Sequence, residues 1–245
     1  MKVVTVLGGK SVFTDRGTLG ACSVYLIRDE KNIIVDTGHF GSRDALVQNM
    51  GNLGISANEV DFVVLTHLNW DHCLNVDIFK DAKVVLGKEE HLKGTLTGAN
   101  DSLSVFFRKY IEERDLLLIE GDRKISENVS VISTPGHTPG HVALLALDEG
   151  RKLVFTGDAV PNMRAYRRGV PDYVFHDLSK AKASVERIKA MKPDVIYPGH
   201  DDPFNDSGYI DYQPLNIFVK TSEERDICFQ VNFQEPLAPL VYEGI

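Results

Sequence analysis

Directly after the apolar stretch Phe62–Leu65 the chain reads Thr66-His67-Leu68-Asn69-Trp70-Asp71-His72, placing three metal-capable side chains within six residues. A short apolar run of this kind is a buried strand. The His-x-Asn-x-Asp-His after it must turn sharply, aiming His67 one way and Asp71 and His72 another. One such loop can serve two neighbouring metal ions. Taken alone, it could equally be a solvated loop that gathers polar residues.

Four further segments repeat the plan. Val131–Ser133 runs into Thr134-Pro135-Gly136-His137-Thr138-Pro139-Gly140-His141, and Leu153–Thr156 runs into Gly157-Asp158. Val195–Tyr197 ends in Pro198-Gly199-His200, and Ile33–Val35 ends in Asp36-Thr37-Gly38. Each is a buried-type strand whose following loop carries an imidazole or a carboxylate, a donor set that suits zinc, iron or manganese.

In these residues, over roughly positions 3–205, the chain resembles the metallo-β-lactamase superfamily. That family's pattern is His-x-His-x-Asp-His, then a His, a Gly-Asp and a Gly-His, in this order. The resemblance implies an α/β fold, a four-layer αβ/βα sandwich of two facing mixed β-sheets with helices outside and metals at one sheet edge. It also implies that His67, His137 and Asp158 hold a first metal, and that Asp71, His72, His200 and the shared Asp158 hold a second. Asp36 falls where the family has an aspartate that braces the metal loop. One position departs from the pattern: Asn69 stands where the second histidine of the His-x-His pair belongs. An amide oxygen is a weaker donor than imidazole for a borderline-soft ion, so Asn69 is expected as a weak ligand and the first site as the weaker one. One or two zinc ions are expected, with iron or manganese as substitutes.

The composition fits this reading. The chain's 245 residues, 43% of them hydrophobic, suffice for a single domain over 1–245, with a core near 3–205 and an extension from 206. A formal net charge of −8 gives no help in gripping polyanions, which weighs against a general nucleic-acid binder. Three cysteines without zinc-finger spacing read as reduced thiols, and with neither a signal peptide nor a membrane-length apolar run the chain is expected in the cytoplasm. Cys73 is expected to pack under the metal loop, and Trp70 to pack in the core.

Strands are predicted over 3–7, 23–28, 32–36, 62–66, 82–86, 115–119, 129–133, 142–147, 152–156 and 194–197. Helices are predicted over 43–53, with a Ser42 cap and a Gly54 stop, and over 105–113 and 179–191. Residues 93–104 read as loose. Beyond His200, residues 227–233 alternate like a strand, and the extension is either a lid or homodimer contact, or an extra strand and tail covering the sheet.

The expected chemistry is hydrolysis of a small-molecule ester, lactone or thioester, or of a phosphoester, by a metal-bound hydroxide that Asp71 orients. Within the family the motifs are nearest the lactonase and hydroxyacylglutathione hydrolase branch. Lactonases, however, usually place a tyrosine three residues after the bridging aspartate, where this chain has Pro161. Arg164, Tyr166 and Arg167, close behind Asp158, are candidate contacts for an anionic substrate group, or else a solvated run. His141 is either a structural histidine or a hydrogen-bond partner of the metal loop. The alternative function is that of a mononuclear iron, persulfide dioxygenase-like enzyme using His67, His137 and Asp158.

Overall fold

Short β-branched runs become strands throughout the chain. The computed structural model describes residues 1–15, 17–93, 102–220 and 226–231. In order, the elements are β1 (Lys2–Leu7), β2 (Phe13–Thr14), β3 (Gly17–Thr18), β4 (Val24–Arg28), β5 (Asn32–Val35), α1 (Arg43–Asn52), β6 (Phe62–Val64) and α2 (Trp70–Cys73). There follow β7 (Lys83–Gly87), α3 (Lys88–Lys93), α4 (Ser102–Glu112), β8 (Leu116–Ile119), β9 (Arg123–Lys124), β10 (Val129–Ser133), β11 (Val142–Asp148) and β12 (Arg151–Gly157). The chain continues with α5 (Met163–Arg168), α6 (Leu178–Ala190), β13 (Val195–Pro198), β14 (Phe204–Asn205), β15 (Gly208–Tyr209), β16 (Leu215–Lys220) and β17 (Asp226–Val231).

One sheet has the order β1-β4-β5-β6-β7-β8 and the other β15-β14-β13-β12-β11-β10-β9. In the first, β5 to β8 run parallel; in the second, β12 and β13 do. The sheets face each other through Tyr25, Ile33, Val35, Val64 and Val85 on one side and Val131, Val142, Leu144 and Phe155 on the other. The outer face of the first sheet packs on Leu46 and Met50 of α1 and Phe107 and Ile111 of α4. The outer face of the second packs on Met163 of α5 and Val185 and Ile188 of α6. This is the αβ/βα sandwich. Each fully buried Leu, Ile or Phe in these layers contributes roughly 1.5–3 kcal/mol.

The helices form for local reasons. In α6, Ala181, Ser184, Val185 and Ile188 recur at helical spacing and are the buried positions, while the Asp177 carboxylate caps the N-terminus by accepting from Lys180 N. In α1, Gly54 at φ 68° ends the helix as expected. Ser42 does not cap it, because its hydroxyl donates to His39 O instead. Helix α4 starts at Ser102, earlier than the predicted 105, and α3 is a helix the apolar pattern did not reveal.

Two compact units emerge, Met1–Ile210 and Asp211–Ile245. In the second, β16 and β17 pair antiparallel from Leu215↔Val231 to Lys220↔Asp226. Most of the predicted loose stretch, 94–101, and the tail from 232 lie outside the described residues. Among the described residues no helix is long and apolar enough to cross a membrane.

Candidate metal centre

The loops that follow β5, β6, β10, β12 and β13 meet at one edge of the sandwich. Close backbone approach makes this possible. A Cβ on Gly199 would lie 2.4 Å from Asp158 Oδ1, and one on Gly157, itself at φ 47°, would lie 2.7 Å from Thr66. Only glycine lets the three loops converge there.

His67, Asp71, His72, His137, Asp158 and His200 come together. His72 Nε2 lies 3.3 Å from His200 Nε2, 3.5 Å from Asp158 Oδ1 and 3.6 Å from Asp71 Oδ2. His200 Nε2 is 3.3 Å from Asp158 Oδ1 and 3.4 Å from Asp71 Oδ2, and His137 Nε2 is 3.5 Å from Asp158 Oδ2. Donor atoms of His67, His72 and Asp158 lie within 4.8 Å of one another, as do those of Asp71, His72 and His200.

The imidazoles share one orientation. Each turns Nδ1 outward to a protein partner: Thr66 Oγ1 for His67 (3.0 Å), Asp36 Oδ2 for His72 (2.8 Å), Tyr173 O for His137 (2.8 Å) and Ala21 O for His200 (3.1 Å). Asp36 also accepts from Thr66 N at 2.8 Å and from the Thr66 hydroxyl, so it braces the loop. Such bonds fix tautomer and ring direction in metal sites. The inward atoms lack partners: His67 Nε2, His137 Nε2, Asn69 Oδ1 and Asp158 Oδ1 are buried without a hydrogen bond. Orphaned buried polar atoms are costly, about 1–3 kcal/mol each. Buried imidazole and carboxylate donors left without partners, with an amide oxygen among them, fit a zinc-, iron- or manganese-type cation in chemistry. Asn69 is the N-cap residue of α2 but makes no capping bond.

Electrostatics divide the histidines. Burial, reinforced by His72 and His137, pushes His67 well below the ordinary imidazole range, and burial with His137 does the same to His141. Burial also works against charge on His72 and His200. The surrounding acidic groups, Asp158 and Asp71 among them, overcome it and raise both. Asp158 is held well below the carboxylate range: burial opposes its charge, but His200, His72 and His137 outweigh that. The Asp158 carboxylate is thus held in its ionised form, the form that can ligate a cation. Cys22 groups with Asp36 and His72, and burial pushes its thiol up to about 12.

Several residues support the site from behind, and His141 is one that the sequence offered as a hydrogen-bond partner of the metal loop. His141 Nε2 accepts from Asp158 N at 3.1 Å while its Nδ1 meets Thr134 Oγ1, so it holds the Asp158 loop by hydrogen bonding. Glu90 is fully buried and accepts from Leu68 N and Gly140 N, both at 3.0 Å. Lys10 lies 2.9 Å from Asp201 and 2.7 Å from Asp202, beside His200. The partners of Glu90 and Lys10 are distant in sequence, so no spacing rule finds them.

Cys73 is buried as expected. Trp70 corrects the expectation of a core residue: it is exposed, with its ring against His39 at 5.5 Å. Helix α2 buries His72 and Cys73, which turns Trp70 outward.

Beside the centre is a cavity of about 290 Å³ lined by Ser11, Phe13, Gly20, Asn69, Asp71, His137, Asp158, Pro161, Asp172, Tyr173, Phe175 and His200. Arg164, Tyr166 and Arg167 are not among these lining residues. They lie on α5, where Arg164 pairs with Asp172 at 3.1 Å and Tyr166 packs on Phe204.

The family model described as the metallo-beta-lactamase superfamily matches residues 17–200. A Methanocaldococcus jannaschii protein named as a probable metallo-hydrolase is 30% identical over 169 residues, 69% of this chain and 70% of the relative. An N-acyl homoserine lactonase of a Bacillus species is 25% identical over 163 residues, 64% of this chain and 62% of the relative. Among solved structures, the B. thuringiensis AiiA protein with N-decanoyl-L-homoserine bound at its active site superposes with a TM-score of 0.65. It is 23% identical, covering 81% of this chain and 92% of that one. At that identity the likeness speaks to the fold alone.

Proposed function

The chain belongs to the metallo-beta-lactamase superfamily and is a metal-dependent hydrolase; from that premise we propose that it holds one or two zinc ions and hydrolyses the ester, lactone or thioester of a small molecule. The observation that carries the reading is the shared orientation of four imidazoles, each Nδ1 anchored and each Nε2 turned toward Asp158 and its neighbours. His67, His137 and Asp158, with Asn69 as a weak oxygen donor, would hold one ion. Asp71, His72, His200 and the shared Asp158 would hold the other.

A bound zinc ion supplies a water whose pKa falls to about 7 and an electrophile for the carbonyl oxygen. The protein does the rest. Asp71, lining the cavity 3.4 Å from His200, orients the attacking water and takes its proton. The water oxygen bonds to the carbonyl carbon, the acyl–oxygen or acyl–sulfur bond breaks, and Asp71 returns the proton to the departing oxygen or sulfur.

An anionic group held by Arg164, Tyr166 and Arg167 forms no part of the proposal, because Arg164 is engaged by Asp172 and none of the three lines the cavity. The mononuclear iron reading would leave Asp71 and His200, which face the same centre, without a task. The test is turnover of an ester, lactone and thioester panel by metal-replete protein. Asp71→Ala and His72→Ala are expected to lower it by about 10²–10⁴-fold, the usual worth of a positioned acid–base group. Turnover retained by both variants would contradict the assignment.

A further inference from the structure

We propose that the cavity wall beside the metal centre is a subsite for one uncharged aromatic ring, so that the substrate is a compact aryl-bearing ester, lactone or thioester. The reaction type rests on the hydrolase reading above; the ring subsite stands on its own geometry.

Three large rings line the cavity and are left in water: Phe13 is 58% exposed, Tyr173 53% and Phe175 43%. They form a continuous path outward from a candidate ligand. The His137 ring meets Phe175 edge-on at 5.1 Å, Phe175 runs parallel to Tyr173 at 6.3 Å, and Tyr173 meets Phe13 at 6.1 Å and 58°. Phe13 comes from the β2–β3 hairpin, the other two from the segment between α5 and α6. That segment is tied to the centre by two bonds: Phe175 N donates to His137 O at 2.9 Å, and Tyr173 O meets His137 Nδ1 at 2.8 Å. The rings are therefore placed relative to the reacting atoms by the same contacts that orient His137.

Charge and size narrow the occupant. Among the described lining residues there is no lysine or arginine. The acidic Asp172 is engaged by Arg164, Arg168 and Asn162. Away from the metal centre, an anionic substituent would meet the Asp172 carboxylate and, among the described lining residues, no lysine or arginine. A volume of about 290 Å³ lies at the low end for ligand sites, which suits one ring and a carbonyl better than a long chain. Ring edges and faces reward an aromatic partner by about two- to tenfold in affinity per ring pair, beyond what an aliphatic group of equal area gains.

The test compares binding of two ketones that cannot be hydrolysed, benzylacetone and its cyclohexyl counterpart, to metal-loaded protein by calorimetry. The corresponding esters, benzyl acetate and its cyclohexyl analogue, are assayed in parallel. Benzylacetone is expected to bind about fivefold tighter or more. The preference should fall by at least half in Phe13→Leu/Tyr173→Leu, which keeps apolar surface and removes two of the three exposed rings, while metal content and unfolding temperature hold. Equal binding of the two ketones, binding of neither, or a preference undiminished in the leucine pair would overturn the ring subsite. Preferential binding with no ester hydrolysed would instead overturn the hydrolase assignment and leave the subsite standing.

Discussion

Glu90 carries no metal-ligand signature, yet its two carboxylate oxygens join the loops of His67–His72 and His137 through Leu68 N and Gly140 N. Both bonds are buried, so each matters more than a surface bond would. Glu90→Gln sets an amide NH₂ against one of two N–H donors. We expect a loss of about 1–3 kcal/mol in denaturant unfolding and roughly 10–100-fold weaker metal retention. Unaltered values would show that the loops hold without it. Asn69 poses the converse case. Its Oδ1 is buried, unpartnered and on the cavity wall. Asn69→His restores an imidazole donor, and competition with a chelator should show tighter metal retention than in the parent chain. Weaker retention would mean that the loop cannot admit the ring. The six ligand-type residues were legible because each follows an apolar run at a strand end. Glu90 was not, since its partners are backbone groups 22 and 50 residues away. Trp70 was misread because an apolar residue inside a polar motif suggests core, whereas α2 spends its buried face on His72 and Cys73.

Among the elements, strands bearing β-branched runs matched their expected bounds to within a residue or two, as did α1 and α6, whose buried stripes follow helical spacing. Short pieces escaped. The β2–β3 hairpin and α3 have too few residues for a period to show, and α5 read as a loop of arginines because its burial depends on Met163 and Ala165 alone. The packing of α6 on the second sheet includes a polar tie. Arg187 donates to Ser133 O at 2.7 Å and to the Asp122 carboxylate, which also accepts from Ser133 N. Partial burial raises the Asp122 pKa, but the Arg187 and Ser133 bonds outweigh it, and the net shift is downward. A carboxyl lowered in the folded state contributes stability that is complete above its unfolded value and lost as pH falls through its folded value. Asp122→Asn should therefore destabilise the protein modestly at neutral pH and flatten the decline in stability below the ordinary aspartate range. Parallel pH–stability curves for the two proteins would contradict this. The exposure of the pair keeps the effect small.

At the scale of the whole molecule, the sandwich exists to bring the ends of strands from two sheets to one edge. Asp36 and His67 arrive from the first sheet, and His137, Asp158 and His200 from the second. That convergence was legible as repetition, strand after strand ending in a donor. The aromatic wall was not, because Phe13 and Tyr173 lie far apart in sequence and only the closed sandwich sets them side by side. The central claim is that these donors hold a catalytic cation, and metal content per chain, read by plasma mass spectrometry on purified protein, tests it most directly. The account predicts at least one equivalent of divalent metal in the parent protein and its loss in a folded Asp158→Ala variant. A parent protein that carries none and takes none up from zinc-, iron- or manganese-supplemented buffer, or an Asp158→Ala variant that keeps the full complement, would contradict it.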